Sequence, residues 1–263
     1  MKRLFLIAAL LITATSIPSQ SAAQRPCLDS SKNSLEELYA IGLAHQNTPL
    51  RIHIGCGEST LTHYVNIDFP PSEHTVQTKI GANVFADITQ LHFPQQTVDE
   101  IRSHHIFEHF DRQVALALLC AWQQWLKPGG LLVIETPDFN ASVRLLMVPQ
   151  YSYEQKQKIM RHIFGSHEAH WAIHCDGWYK EKFEHVLGQL GFNDITFEFT
   201  EWNLLHNIIV RAHKKKSFTR EELMAQAKAL LRENMVNTTS SEEIMWHTWC
   251  TKFDEATKKL TLD

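Results

Sequence analysis

Leu50-Arg51-Ile52-His53-Ile54-Gly55-Cys56-Gly57 runs a pentad alternating apolar and basic residues straight into a glycine turn. Such a run reads as a short buried strand that stops where the chain must turn tightly. Tyr64-Val65-Asn66-Ile67-Asp68 repeats the pattern and ends on a carboxylate, and Val84-Phe85-Ala86-Asp87-Ile88 repeats it again. Val98 to Ser103 reads as a fourth strand, followed by a helix from about Arg112 to Leu126. Pro128-Gly129-Gly130 breaks that helix before a fifth strand, Leu131 to Glu135. Strands alternating with helices predict parallel βαβ units and an open α/β sheet. In such sheets ligands bind beyond the carboxyl ends of the strands, near the point where strand order reverses. Gly55, Asp68, Asp87, His104 and Thr136-Pro137-Asp138 all fall at strand ends of that kind.

Working outward, Ser34 is a plausible N-cap for a leader helix over Leu35 to Ala44. Residues 139–176 are rich in aromatics and histidine without a clean strand, which suits a lid or substrate-side insertion. Trp178 to Leu190 reads as a helix, and Ile195 to Phe199 with Leu204 to Ala212 as a terminal antiparallel pair. Lys214-Lys215-Lys216 opens an extension with helices near 219–234 and 241–260. Met1-Lys2-Arg3, the nine-residue apolar run Leu4 to Ile12 and Ser21-Ala22-Ala23 together predict a signal peptide over 1–23. Export to the periplasm or beyond is the expectation, with a cytoplasmic enzyme as the alternative. No later run approaches the roughly 20 apolar residues of a membrane span. The domains expected are thus 1–23 signal, 24–47 leader, 48–213 catalytic sheet and 214–263 helical extension.

The 263 residues carry 44% hydrophobic and 21% charged side chains, an ordinary globular balance that excludes a mostly disordered chain. A formal charge of −4 argues against a nucleic-acid clamp, whose affinity comes from neutralising phosphates. Five cysteines at wide spacing, Cys27, Cys56, Cys120, Cys175 and Cys250, do not read as a disulfide framework.

At the strand ends, glycines let a ligand approach where a Cβ would collide. Asp68 can accept the two hydroxyls of a ribose, and Asp87 an exocyclic adenine amine with Ile88 packing the ring. In that order the residues spell an adenosine site. The chain here resembles the class I S-adenosylmethionine-dependent methyltransferases of the type-11-like group. The matching stretches are 52–57, Val65-Asn66-Ile67-Asp68, Phe85-Ala86-Asp87-Ile88, Ser103-His104-His105-Ile106-Phe107-Glu108-His109-Phe110 and Trp125 to Gly130. The resemblance covers roughly 48–213. It implies a Rossmann-like seven-stranded sheet with the last strand antiparallel and helices on both faces. It also implies S-adenosylmethionine as cofactor, held by Ile54, Gly55, Cys56, Gly57, Asp68, Asp87, Ile88, His104 and His105. Only eight residues, Glu58 to Val65, separate the glycine turn from the core of the second strand, so the first crossover helix is expected to shrink to a turn.

The expected reaction is methyl transfer to an oxygen or nitrogen of a small-molecule or sugar-like acceptor. His105 and His174 are the candidate bases. One alternative is a catalytically silent binding module. Another is an exported zinc peptidase, because His105-Ile106-Phe107-Glu108-His109 is literally H-x-x-E-H. His167, His170, His174 and Cys175 form a second cluster with metal-ligating side chains but no standard zinc spacing. Local hydrogen bonding and lid packing account for both clusters, and no metal is expected.

Overall fold

The computed structural model describes residues 25–260, so the predicted signal segment lies outside the described residues. Seven strands form one sheet: β1 (Arg51–Ile54), β2 (Val65–Asp68), β3 (Val84–Phe85), β4 (Val98–His104), β5 (Leu126–Pro137), β6 (Phe192–Trp202) and β7 (Leu205–Lys214). Their order is β3-β2-β1-β4-β5-β7-β6. The first five run parallel, and β7 is antiparallel to both of its neighbours. This is the seven-stranded sheet with a reversed last strand that the resemblance implied. Ile52, Ile54 and Ile67 are wholly buried, as expected of central parallel strands covered on both faces. Strand order reverses at β1, whose neighbours are β2 and β4, which places the predicted ligand crevice beyond Ile54 and His104.

The helices are α1 (Ser34–Ala40), α2 (Arg112–Trp125), α3 (Phe139–Leu146), α4 (Tyr153–Phe164), α5 (Lys180–Gln189), α6 (Arg220–Arg232) and α7 (Ser240–Lys259). None of them joins β1 to β2, β2 to β3 or β3 to β4. Those connections carry only 3₁₀ turns, at Pro71–Glu73 and Ile88–Gln90. Asn66 holds the shortened first connection together. Its amide donates to Leu61 O at 3.1 Å and to Asn83 Oδ1 at 2.8 Å, while its carbonyl accepts from Leu61 N at 2.9 Å.

Three local readings shift. Asn33, not Ser34, caps α1 by accepting from Leu35 N and Glu36 N. Ser34 is instead buried, its hydroxyl accepting from His92 N at 2.9 Å. Strand β5 begins already at Leu126 and runs through Pro128-Gly129-Gly130, because the register slips between Val98↔Leu126 and Glu100↔Leu131 and a bulge absorbs the extra residues. The segment 139–176 is more ordered than its composition suggested. Asp138 caps α3, and Ser152 with Gln155 forms a reciprocal capping box for α4.

The extension is not an appendage. Leu223, Ala227, Leu230, Leu231 and Phe253 from α6 and α7 sit in the same hydrophobic core as Leu118 and Trp122 of α2. At the other end, the leader covers the exposed edge of β3. Leu28 N donates to Phe85 O and Phe85 N to Pro26 O, both at 2.9 Å.

Candidate active site

Beyond the ends of β1 and β4 lies a cavity of about 380 Å3, within the roughly 300–1,000 Å3 typical of small-molecule sites. Its floor is the glycine turn. Gly55 has φ +67 and Gly57 φ +55, values that side chains other than glycine's rarely adopt. A Cβ on Gly55 would stand 2.4 Å from the Ile106 side chain, whereas a Cβ on Gly57 would meet open space. Gly55 is therefore required by packing and Gly57 by backbone shape. Gly55 N and Cys56 N both donate to Ile67 O, which ties the turn to β2. The Cys56 side chain itself turns away from the cavity, toward Ala82 and Phe85.

Asp68 forms one wall and is 5% exposed. Gly57 N donates to its Oδ2, Phe69 N donates to its Oδ1 at 2.7 Å, and His74 Nε2 stands 3.4 Å from Oδ1. The roof is aromatic: Trp171 closes over His74 at 5.5 Å between ring centres, and its indole N–H donates to Glu73 O at 2.8 Å. Ile106, Phe110 and Val76 complete an apolar lining.

His105, one of the two candidate bases, borders the same cavity. It follows β4 with φ +50, and its Nδ1 lies 3.4 Å from Glu108 Oε1 while its Nε2 lies 3.5 Å from Glu135 Oε1. Burial works against charge on the ring, but pairing with the two carboxylates outweighs it and holds its pKa up at about 10. That pairing favours the charged, proton-donating form of the ring. Burial depresses His174, which keeps a neutral ring available there.

Besides Cys56, four of the expected cofactor contacts do not line the cavity. Asp87 spends its carboxylate capping a 3₁₀ turn, accepting from Thr89 N, Thr89 Oγ1 and Gln90 Nε2. Ile88 is buried in the main core. His104 packs edge-on against His53 at 4.9 Å, and its pKa falls to about 4 through burial and that neighbouring ring. Ile54 lies in the core beneath the turn. What borders the cavity near Asp68 is Phe69, Val76 and Gln77, from a connection with no strand or helix signal.

The H-x-x-E-H stretch is not a helix. Strand β4 ends at His104, and Phe107–His109 is a single 3₁₀ turn, so His105 and His109 do not share a helical face. The peptidase geometry is absent, since that motif requires both imidazoles on one face of a helix. The second histidine cluster also disperses. His167 is exposed and turns back to Phe164 O at 2.8 Å, and His170 is exposed, leaving His174 alone facing inward.

Residues 52–134 match the family model of a methyltransferase domain. No curated protein matches the chain. Among solved structures, it is similar to a SAM-dependent methyltransferase from Methanosarcina mazei (13% identity, 68% of this chain and 98% of that one, TM-score 0.43). It is also similar to magnesium protoporphyrin IX methyltransferase from Synechocystis with bound SAH (15% identity, 69% and 80%, TM-score 0.41). A third is 1,6-didemethyltoxoflavin-N1-methyltransferase from Burkholderia thailandensis (13% identity, 70% and 79%, TM-score 0.40).

The residues present fit the donor such a domain implies. Gly57 leaves open space over the turn, the carboxylate of Asp68 faces the cavity, and His74 Nε2 is buried without a hydrogen bond. That orphaned nitrogen is a waiting partner for a ligand hydroxyl.

Proposed function

With the methyltransferase domain as premise, we propose that this chain transfers a methyl group from S-adenosylmethionine to an oxygen or nitrogen of a small-molecule acceptor. One observation carries the reading. A cavity of ligand size joins the glycine turn, the buried Asp68 carboxylate and an aromatic roof at the reversal of strand order. When bound, the cofactor supplies an electrophilic methyl group on sulfur. Asp68 and His74 would take the ribose hydroxyls, with Phe69, Val76 and Gln77 beside the base. His105, in its charged form, would face the carboxylate end and not the reacting methyl.

The acceptor would enter from the far side. A cavity of about 750 Å3, lined by His162, Trp171, Trp202 and Arg161 among others, lies against the same His109 that borders the donor cavity. Positioning the two reactants across that shared wall is the main catalytic effect available to the chain.

The test is calorimetric titration of the full chain with S-adenosylmethionine and S-adenosylhomocysteine. Micromolar binding is expected, weakened at least tenfold in Asp68→Ala, with circular dichroism confirming the fold. No binding by a folded wild-type protein would refute the proposal.

A further inference from the structure

Between the donor and acceptor cavities lies a smaller space of about 240 Å3, bordered by His105, Glu108, His109, His162 and His174. Glu108, His109 and His174 each aim one ligand atom into it, and those atoms all lie within 4.8 Å of one another. A tetrahedral ion with bonds near 2.1 Å needs donor separations of about 3.4 Å. The Glu108 Oε1 to His174 Nε2 distance is already 3.9 Å.

Three further observations single this cluster out from a chance gathering of polar groups. Glu108 is only 2% exposed, yet neither carboxylate oxygen accepts a hydrogen bond. Its nearest partners are the imidazoles of His105 at 3.4 Å and His174 at 3.9 Å, neither a hydrogen bond, so the carboxylate keeps lone pairs that a bound cation would take up. His109 Nδ1 lies 3.2 Å from Ile173 O, which fixes the ring that contributes to the cluster. Cys175 N donates to Glu108 O at 2.8 Å, clamping the His174 segment onto the 3₁₀ turn that bears Glu108 and His109. The set is thus built by two distant pieces of chain locked together, and not by one flexible loop.

We propose that Glu108, His109 and His174 bind a first-row divalent transition metal, Zn2+ or its close analogues, at the wall shared by the donor and acceptor cavities. Two imidazoles and one carboxylate suit zinc-like ions far better than Mg2+ or Ca2+, which favour all-oxygen sites. Three protein ligands leave a position open, as in catalytic and not structural metal sites. His109 borders both larger cavities, so that open position is where an acceptor oxygen would arrive. Resting on the methyltransferase reading, this narrows the acceptor to a hydroxyl compound. On binding, its O–H bond breaks, the electron pair stays on the oxygen held by the cation, and the proton passes to solvent. The weakly acidic hydroxyl is thereby made nucleophilic without a protein base.

The full chain, produced without a histidine tag and stripped with a chelator, would be titrated with Co2+ and then with Zn2+ as competitor. One equivalent of Co2+ is expected to give the visible d–d bands of a nitrogen- and oxygen-liganded site, displaced by one equivalent of Zn2+. His109→Ala and His174→Ala should each weaken binding at least thirtyfold, whereas His174→Asp, which restores a ligand, should recover most of it. His167→Ala with His170→Ala should change nothing, because both side chains lie outside the cluster. Absence of stoichiometric Co2+ or Zn2+ binding, or binding that survives loss of both His109 and His174, would overturn the assignment. So would a preference for Mg2+. S-adenosylhomocysteine binding, measured on the same samples, reports separately on the methyltransferase reading. Metal without nucleoside binding would sink that reading and the acceptor role but keep the site, and nucleoside without metal would do the reverse.

Discussion

Single side chains in this protein take their chemistry from depth as much as from type. Cys56 and Cys120 are buried thiols, and burial alone pushes Cys120 up to about 12. Cys56 is raised by burial and by the nearby Asp68 charge, and Cys250 by burial. Cys27 and Cys175, by contrast, are exposed, and all five are free. Because the thiolate is the reacting species, exposure and pKa together sort the five. A chromogenic disulfide reagent should titrate two thiols rapidly in the native protein and five in denaturant. Rapid reaction at Cys56 would mean that the glycine turn is open and that its packing against Ala82 and Phe85 is wrong.

At the scale of elements, strand β7 ends on an uncomfortable residue. Lys214 is 2% exposed, and among the described residues its ammonium donates only to Leu126 O, at 2.8 Å. Burial pulls its pKa down to about 8 from the ordinary 10.5. Between those values the unfolded chain binds more protons than the folded one, so stability rises with pH across that window. Lys214→Met keeps the apolar stem and removes the charge. The variant should therefore be more stable than the parent at pH 7, with the gap closing as pH climbs from about 8 toward 10. Urea midpoints at pH 7 and pH 10 measure this, and an unchanged gap would show that the ammonium reaches water. Elements were also where local sequence signals succeeded best. Strands β1, β2 and β4 and helix α2 were readable from apolar runs and breakers. The two helices within residues 139–176 were not, since aromatics and histidines blur a helical period while their caps, Asp138 and Ser152, look like loop residues.

For the whole molecule, the lesson is continuity of the core. Phe253 of α7 is wholly buried and belongs to the same cluster as the β-sheet's Ile52 and Ile134. Phe253→Ala should destabilise the entire chain by about 3–5 kcal/mol, the usual range for deleting a buried aromatic ring. Tryptophan fluorescence and far-ultraviolet circular dichroism should report one coincident urea transition in the parent and in the variant. Two separated transitions would show that residues 214–260 fold as an independent unit.

The amino-acid sequence alone determined the parallel sheet, the glycine turn and the carboxylate of Asp68 at the end of β2. Those features depend on residues close together in the chain, where periodicity and backbone freedom speak directly. Asp87 is ambiguous for the same reason: a carboxylate at a strand end has the same sequence signature whether it meets a ligand or caps the next turn. Tertiary structure alone decided that its oxygens go to Thr89 and Gln90. It also decided that His105 pairs with Glu135, which is thirty residues away in sequence and 3.5 Å away in space. Glu108 and His174 lie in two clusters that each looked self-contained in sequence. The hydrogen bonds from Cys175 N to Glu108 O and between His109 and Ile173 O draw one member of each to a common point. Ligand sets assembled across such distances leave no spacing rule to read, since folding, and not proximity along the chain, sets their geometry.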